Sequence, residues 1–196
     1  MNATITPLFP QLVYICDEVG LSFHKEIIDC VNQYDGEYYK NPLLNVNSTK
    51  GKTNLISSSP FKELCNEVLF HMKSFAENLG YRKERCDSLF INDCWFNSSD
   101  KGEYVYPHTH PGSFLSAAYY VKTNEENVFT LYNPNNLSAM ENPSYPISEN
   151  AAEVNINCVP GRLIIFFSNF MHSTPVQKNE GQKIVLSFNS IFENKK

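Results

Sequence analysis

No apolar run in these 196 residues is long enough to cross a bilayer as a helix. The segment from Met1 to Pro7 has neither a basic patch nor an apolar stretch, so no export signal is expected. None of the six cysteines (Cys16, Cys30, Cys65, Cys86, Cys94 and Cys158) has a close partner in sequence, which excludes a zinc ribbon. Free thiols in a reducing cytoplasm follow as the expectation. Charge is sparse, 19% of residues with a formal net charge of -5, so no overall positive field draws in nucleic acid or an anionic membrane. There is no internal repeat and no low-complexity tract. What the chain does have is apolar and aromatic: 42% hydrophobic residues, with 14 Phe and 11 Tyr. That is enough for one domain over residues 1–196 with a sizeable, β-rich core.

Two patterns divide the chain. Residues 1–88 read as a helical part and residues 89–192 as strands. Phe23, Ile27, Ile28 and Val31 make an amphipathic stripe over residues 21–34. A second helix is expected after Ser59, with Ser59 as cap, Pro60 in the first turn and Gly80 as the stop. Its apolar face runs from Phe61 through Leu64, Val68, Met72 and Phe75 to Leu79. Residues 36–58 are rich in Asn, Ser, Lys and Gly and read as a long loop. Strands follow at about 89–97, 104–110, 114–122, 127–132, 153–158, 162–167, 172–176 and 182–192. A turn-rich stretch occupies 133–150, and the tail from Glu193 is expected to fray. Eight strands after a helical layer predict a mainly β fold with α. The form expected is a jelly roll, or double-stranded β-helix, with the N-terminal helices packed on one sheet.

Three of the five histidines stand out. His108 and His110 lie two residues apart in an expected strand, where alternation puts them on one face. Two imidazoles on one face can bind one divalent metal. A third ligand from a distant strand, His172, would close a facial set of the kind non-haem iron oxygenases use. The incidental alternative is two polar residues on a solvated strand face. Farther on, Lys183, Val185, Ser187 and Asn189 alternate onto one face of the last strand, with Ile184, Leu186 and Phe188 on the other. A lysine and a serine pointing into a small barrel beside a metal need an anion, because a lone buried ammonium is costly. A dicarboxylate cosubstrate supplies one. Trp95, Cys94 and Cys158 read as core residues, and His24 and His71 as surface or rim residues on helices.

These motifs, in their order and spacing, resemble the Fe(II)/2-oxoglutarate-dependent dioxygenases, in particular the oxygenases common in phage and marine bacterial genomes. The resemblance is carried by Ile5 to Phe9, Trp95-Phe96-Asn97, Gly102, the run from His108 to Tyr120, Pro160-Gly161, His172, and Lys183 to Asn189. It implies that His108, His110 and His172 hold Fe(II) and form the catalytic centre. It implies that Lys183 pairs with the C5 carboxylate of 2-oxoglutarate, that Ser187 adds a hydrogen bond, and that Asn97 lies near the cosubstrate. The neighbouring strand contributes Tyr119 or Tyr120, with Tyr119 the expected contact. The implied reaction consumes O2 and 2-oxoglutarate, releases succinate and CO2, and hydroxylates a C–H bond of a substrate the sequence does not name.

One departure matters: His110 stands where the family pattern has Asp or Glu. Either it ligates, giving a three-histidine site, or it turns away and leaves two histidines with a position open to water or halide. Two rival functions remain. Gly102 followed by His108-Thr109-His110 also opens a cupin motif, which would need no 2-oxoglutarate. A non-catalytic jelly-roll interaction module would make the histidines incidental. A cytoplasmic location is expected, and a homo-oligomer stays open.

Overall fold

The structure is a computed structural model that describes residues 3, 4, 6, 10–41, 44–53, 55–124, 126–135, 147 and 151–193. Most of the motif from Ile5 to Phe9, most of the stretch at 133–150 and most of the expected frayed tail lie outside the described residues.

Eleven strands form among the described residues. They are β1 (Tyr14–Cys16), β2 (Tyr39–Asn41), β3 (Leu44–Ser48), β4 (Leu89–Ser99), β5 (Tyr104–His108) and β6 (Leu115–Lys122). Then come β7 (Val128–Tyr132), β8 (Glu153–Asn157), β9 (Leu163–Phe167), β10 (His172–Thr174) and β11 (Lys183–Phe192). Three helices accompany them, α1 (His24–Asn32), α2 (Phe61–Asn78) and α3 (Lys83–Asp87), with a 3-10 turn at Leu21–Phe23. The sheet runs β1-β9-β6-β11-β4-β3-β5-β10-β7-β8, with β2 on β3. Every pairing is antiparallel. The sheet curls on itself: Ala118, Tyr120, Ile164, Phe166 and Val185 of one half pack with Phe129 and Leu131 of β7 in the other. This is the double-stranded β-helix.

The helices cover the outer face of the larger half. Ile27 of α1 and Leu64, Val68 and Met72 of α2 are fully enclosed. They join Cys94, Phe96, Leu115, Ala117, Tyr119, Leu163, Ile165, Ile184, Leu186 and Phe188 from the strands in one core. Alternation explains the division. Even residues of β11 face the helices, and odd residues face inward. Pro160-Gly161 makes the turn before β9. The Gly161 N–H donates to the Tyr120 carbonyl at 2.8 Å, and its own carbonyl accepts from Val19 N–H at 3.0 Å. Its φ of +83° and a Leu21 carbon 2.7 Å from any added Cβ leave room for glycine alone.

Three local expectations are corrected. Residues 36–58 are not a plain loop, because β2 and β3 lie within them. Their sequences, YKN and LNVNS, are short and polar and lack an apolar alternation. β3 is held between two other strands, pairing Ser48 with Asn97 of β4 and Asn45 with Tyr104 of β5. β1 likewise puts a strand into the part read as helical, against β9. Ser59 does not cap α2: Pro60 occupies the cap position, with no side-chain hydrogen bond. Gly80 does follow the end of that helix, with φ +88°.

Candidate metal centre

The inward face of the larger half and the facing strands enclose a cavity of about 280 Å³. β10 is the element that assembles its centre. It pairs with β5 on one side, His172 opposite His108, and with β7 on the other. β5 ends at His108, so His110 is not in a strand as expected. Pro111 and Gly112 turn the chain, and the His110 N–H donates to the Ser168 carbonyl at 2.8 Å instead of to a strand partner. The three imidazoles still converge: one ring nitrogen from each of His108, His110 and His172 lies within 4.8 Å of the others. His110 Nε2 sits 3.2 Å from His172 Nε2.

The outer nitrogens fix how the rings are presented. His172 Nδ1 donates to the Phe170 carbonyl at 2.8 Å, and His108 Nδ1 to the Tyr106 carbonyl at 2.8 Å. A carbonyl only accepts, so each Nδ1 carries the proton and each Nε2 keeps its lone pair for the centre. The His110 Nδ1 is buried without a hydrogen-bond partner among the described residues. Phe166 and Phe129 flank the His172 ring at 4.6 and 5.3 Å, and Trp95 lies 5.7 Å from that of His110. Three neutral imidazoles fit a divalent first-row ion such as iron, nickel or zinc.

Burial, followed by the neighbouring imidazoles, depresses these basicities. His110 falls to about 2, through burial first and then His172 and His108. His172 falls to about 3, through burial and then His108, against the Phe170 hydrogen bond. His108 is lowered as well, chiefly by burial. All three are neutral at pH 7, as ligands must be. In the unfolded chain the same groups take up protons near the ordinary value of 6.5. Between the two limits the unfolded state holds more protons, so acidification favours unfolding. Each of His110 and His172 should cost the metal-free protein about 1.4 kcal/mol per pH unit below roughly 6.5. Denaturant midpoints of metal-free protein should fall steadily from pH 6.5 to pH 5, and the slope should lessen in His110→Asn. A flat profile in the wild-type protein would contradict the assigned burial.

The remaining expected residues divide cleanly. Lys183, the first residue of β11, lines the cavity and is 5% exposed. Burial pushes its ammonium down to about 8, with Cys158 and Glu103 opposing. Among the described residues no carboxylate pairs with it; the ion pairs present are Lys52–Glu37, Lys101–Glu180 and Arg162–Asp17. Ser187 and Asn97 line the same cavity, and Asn97 Nδ2 donates to Ser187 Oγ at 3.2 Å. The Asn97 Oδ1 is buried without a partner among the described residues. Asn189 shares their face but accepts from Ser116 at 2.8 Å in a polar group beyond the cavity.

Tyr119 is the residue the structure removes. It shares the helix-facing side of β6 with Leu115, Ala117 and Val121. Its hydroxyl donates to the Val19 carbonyl at 2.6 Å and meets His24 Nε2 at 2.5 Å. Its neighbour Tyr120 takes the opposite face and lines the cavity. Burial, then Cys158, holds the Tyr120 phenol well above its ordinary range, so it stays a neutral donor. His24 and His71 are half-buried rather than exposed, each hydrogen-bonded to a tyrosine hydroxyl. Sequence reasoning missed Lys50, which lines the cavity from the turn after β3, and gave Trp95 only to the core.

A family model described as "Putative 2OG-Fe(II) oxygenase" matches residues 93–189. Solved structures share the fold. An oxidoreductase of the 2OG-Fe(II) oxygenase family from Burkholderia pseudomallei has a TM-score of 0.61 at 12% identity, over 91% of this chain and 83% of that one. A Pseudomonas putida prolyl-4-hydroxylase has a TM-score of 0.61 at 11% identity, over 94% of each chain. The viral collagen prolyl hydroxylase of Paramecium bursaria Chlorella virus-1, in its 2OG complex, has a TM-score of 0.58 at 14% identity, over 91% and 94%. No curated protein matches the chain.

Proposed function

We propose that this chain, which belongs to the 2OG-Fe(II) oxygenases, holds Fe(II) through His108, His110 and His172 and 2-oxoglutarate through Lys183. The carrying observation is the pairing of the three-histidine cluster with a buried, carboxylate-free lysine in one cavity. Bound iron and 2-oxoglutarate supply the oxidising chemistry: one atom of O2 enters succinate as CO2 leaves, and the other turns a substrate C–H into C–OH.

The chain's own residues bind, orient and exclude water. The Phe170 and Tyr106 carbonyls fix the His172 and His108 rings, so the ligands are aimed before metal arrives. Lys183 meets the far carboxylate of the cosubstrate. A lysine is a point charge without Arg's two-pronged fork, so direction must come from hydrogen bonds. Ser187 and the neutral Tyr120 hydroxyl supply donors, and the Asn97 amide sets the serine. Phe129, Phe166 and Val185 keep the cavity wall apolar, which strengthens each polar contact inside it. Residues 1–196 act as one domain in this reading, supported by the pairing of β1 with β9 and by α2 packing on β4 and β9. A cytoplasmic setting fits the unpaired cysteines and the lack, among the described residues, of any helix long and apolar enough to cross a membrane.

Anaerobic titration with Fe(II) and then 2-oxoglutarate tests this. The weak visible charge-transfer band of chelated cosubstrate should appear with one equivalent of each. Iron binding without any band would favour a three-histidine cupin-type enzyme instead, and no iron binding an interaction module.

A further inference from the structure

Two lysine side chains line the cavity, Lys183 and Lys50. No aspartate or glutamate lines it among the described residues. Lys50 is placed firmly. Ser48 pairs with Asn97 of β4. Thr49, fully enclosed, donates its N–H to the Phe96 carbonyl at 3.1 Å, and Thr49 Oγ1 accepts from Phe96 N–H at 3.1 Å. The turn thus fastened presents two lysines with different fates. Lys52 points outward to Glu37 at 2.8 Å. Lys50 points inward, its Nζ 4.6 Å above the Trp95 ring, with no ion pair among the described residues. The acid facing it is Asp93, two residues before Trp95 on β4. Asp93 stands beyond ion-pair distance; burial raises its carboxyl while Lys50 lowers it.

The two lysines sit at different ends of one strand face. Lys183 lies opposite Ser99, and Lys50 stacks on Trp95, four residues away. Their anchor points on β4 are therefore about 13 Å apart along the strand, so the two ammonium groups enter the cavity from different places. The charge balance then asks for another anion. A dipositive ion on three neutral imidazoles keeps its whole charge, where a carboxylate ligand would have cancelled part. Two-oxoglutarate, a dianion, offsets the ion or the lysines, but not both.

We propose that Lys50 selects the substrate by binding an oxyanion, a carboxylate or a phosphate, so that the molecule hydroxylated is a small anion. Trp95 orients the ammonium and gives the substrate's apolar part a face to pack on. The inference rests on Lys183 being the cosubstrate anchor.

Zn(II)-loaded protein saturated with 2-oxoglutarate does not turn over and can be titrated calorimetrically with acetate and with inorganic phosphate. Wild type should bind at least one of them, and the preferred anion identifies the substrate's charged group. Lys50→Gln should weaken that binding by about tenfold or more, and Lys50→Arg should retain most of it. Affinity for 2-oxoglutarate should stay within about twofold of wild type in both variants. Equal anion binding in Lys50→Gln would mean the metal holds the anion, and would overturn the proposal. So would a wild type that binds neither anion, or a Lys50→Gln variant that loses 2-oxoglutarate in parallel. Lys50-dependent anion binding in a protein that ignores 2-oxoglutarate would keep this site and remove the cosubstrate reading.

Discussion

Lys183→Ala should abolish useful binding of 2-oxoglutarate while leaving Fe(II) binding intact. Lys183 is enclosed, faces the cavity and has no carboxylate partner among the described residues. Removing one member of a buried charge pair costs about 2–5 kcal/mol, which corresponds to a weakening of roughly thirty- to several-thousandfold. The anaerobic charge-transfer titration reads this directly as a rise in the half-saturating 2-oxoglutarate concentration. A second signature follows from the depressed basicity. With its value pushed down to about 8, the free lysine begins to lose its proton just above neutrality. The ammonium is the binding form, so wild-type affinity should decline as pH rises through about 8. Binding of the anion should be accompanied by proton uptake near that pH. Unchanged 2-oxoglutarate affinity in Lys183→Ala would end its assignment as anchor.

His172→Ala should lose stoichiometric metal. His172 is the ligand with the most support. It pairs opposite His108 in the sheet, its outer nitrogen is tied to Phe170, and its ring is held between Phe129 and Phe166. Losing an outer hydrogen-bond partner alone weakens metal sites by about 10- to 100-fold, and losing the ligand itself should exceed that. Equilibrium dialysis against Fe(II) or Zn(II), with metal content measured afterwards, gives the number. Unfolding followed in chelator separates metal loss from loss of fold. His110→Asp is the informative companion. It restores a carboxylate where the family pattern has one, so metal should be retained. Full metal content and 2-oxoglutarate turnover in His172→Ala would refute the centre as drawn.

Most of the strand layout could be read from the chain because alternation in a half-buried strand is a strong signal. β11 is the clearest case: odd residues inward and even residues to the helices, as the apolar pattern demands. The same rule separates Tyr119 from Tyr120, since Tyr119 falls in phase with Leu115, Ala117 and Val121. Two adjacent tyrosines mask that phase, and the contacts of Tyr119 with the Val19 carbonyl and with His24 at the start of α1 make it plain. His110 shows the opposite case. Strand alternation pointed it to the right place for a reason that does not apply, because the strand has ended and a turn aims the ring. Lys50 was hidden for a different cause. β2 and β3 are too short and too polar to show a period, and their pairing with β4 and β5 is a tertiary fact.

β11 also sets how this protein can change over generations. Its two faces serve unrelated tasks, one sealing the helical layer and the other carrying Lys183 and Ser187 into the cavity. Losing or gaining one codon's worth of chain within it would swap the two sets over the rest of the strand wherever no bulge absorbed the change. Aliphatic residues would then enter the cavity, and the lysine would be driven into the packed interior. β4 and β6 already take up one extra residue each against β11, at the register shifts by Asn189/Ser190 and Ile184/Val185, so the strand tolerates exchange of side chains more readily than a shift in its own length. Variation in size is left to the connections between strands.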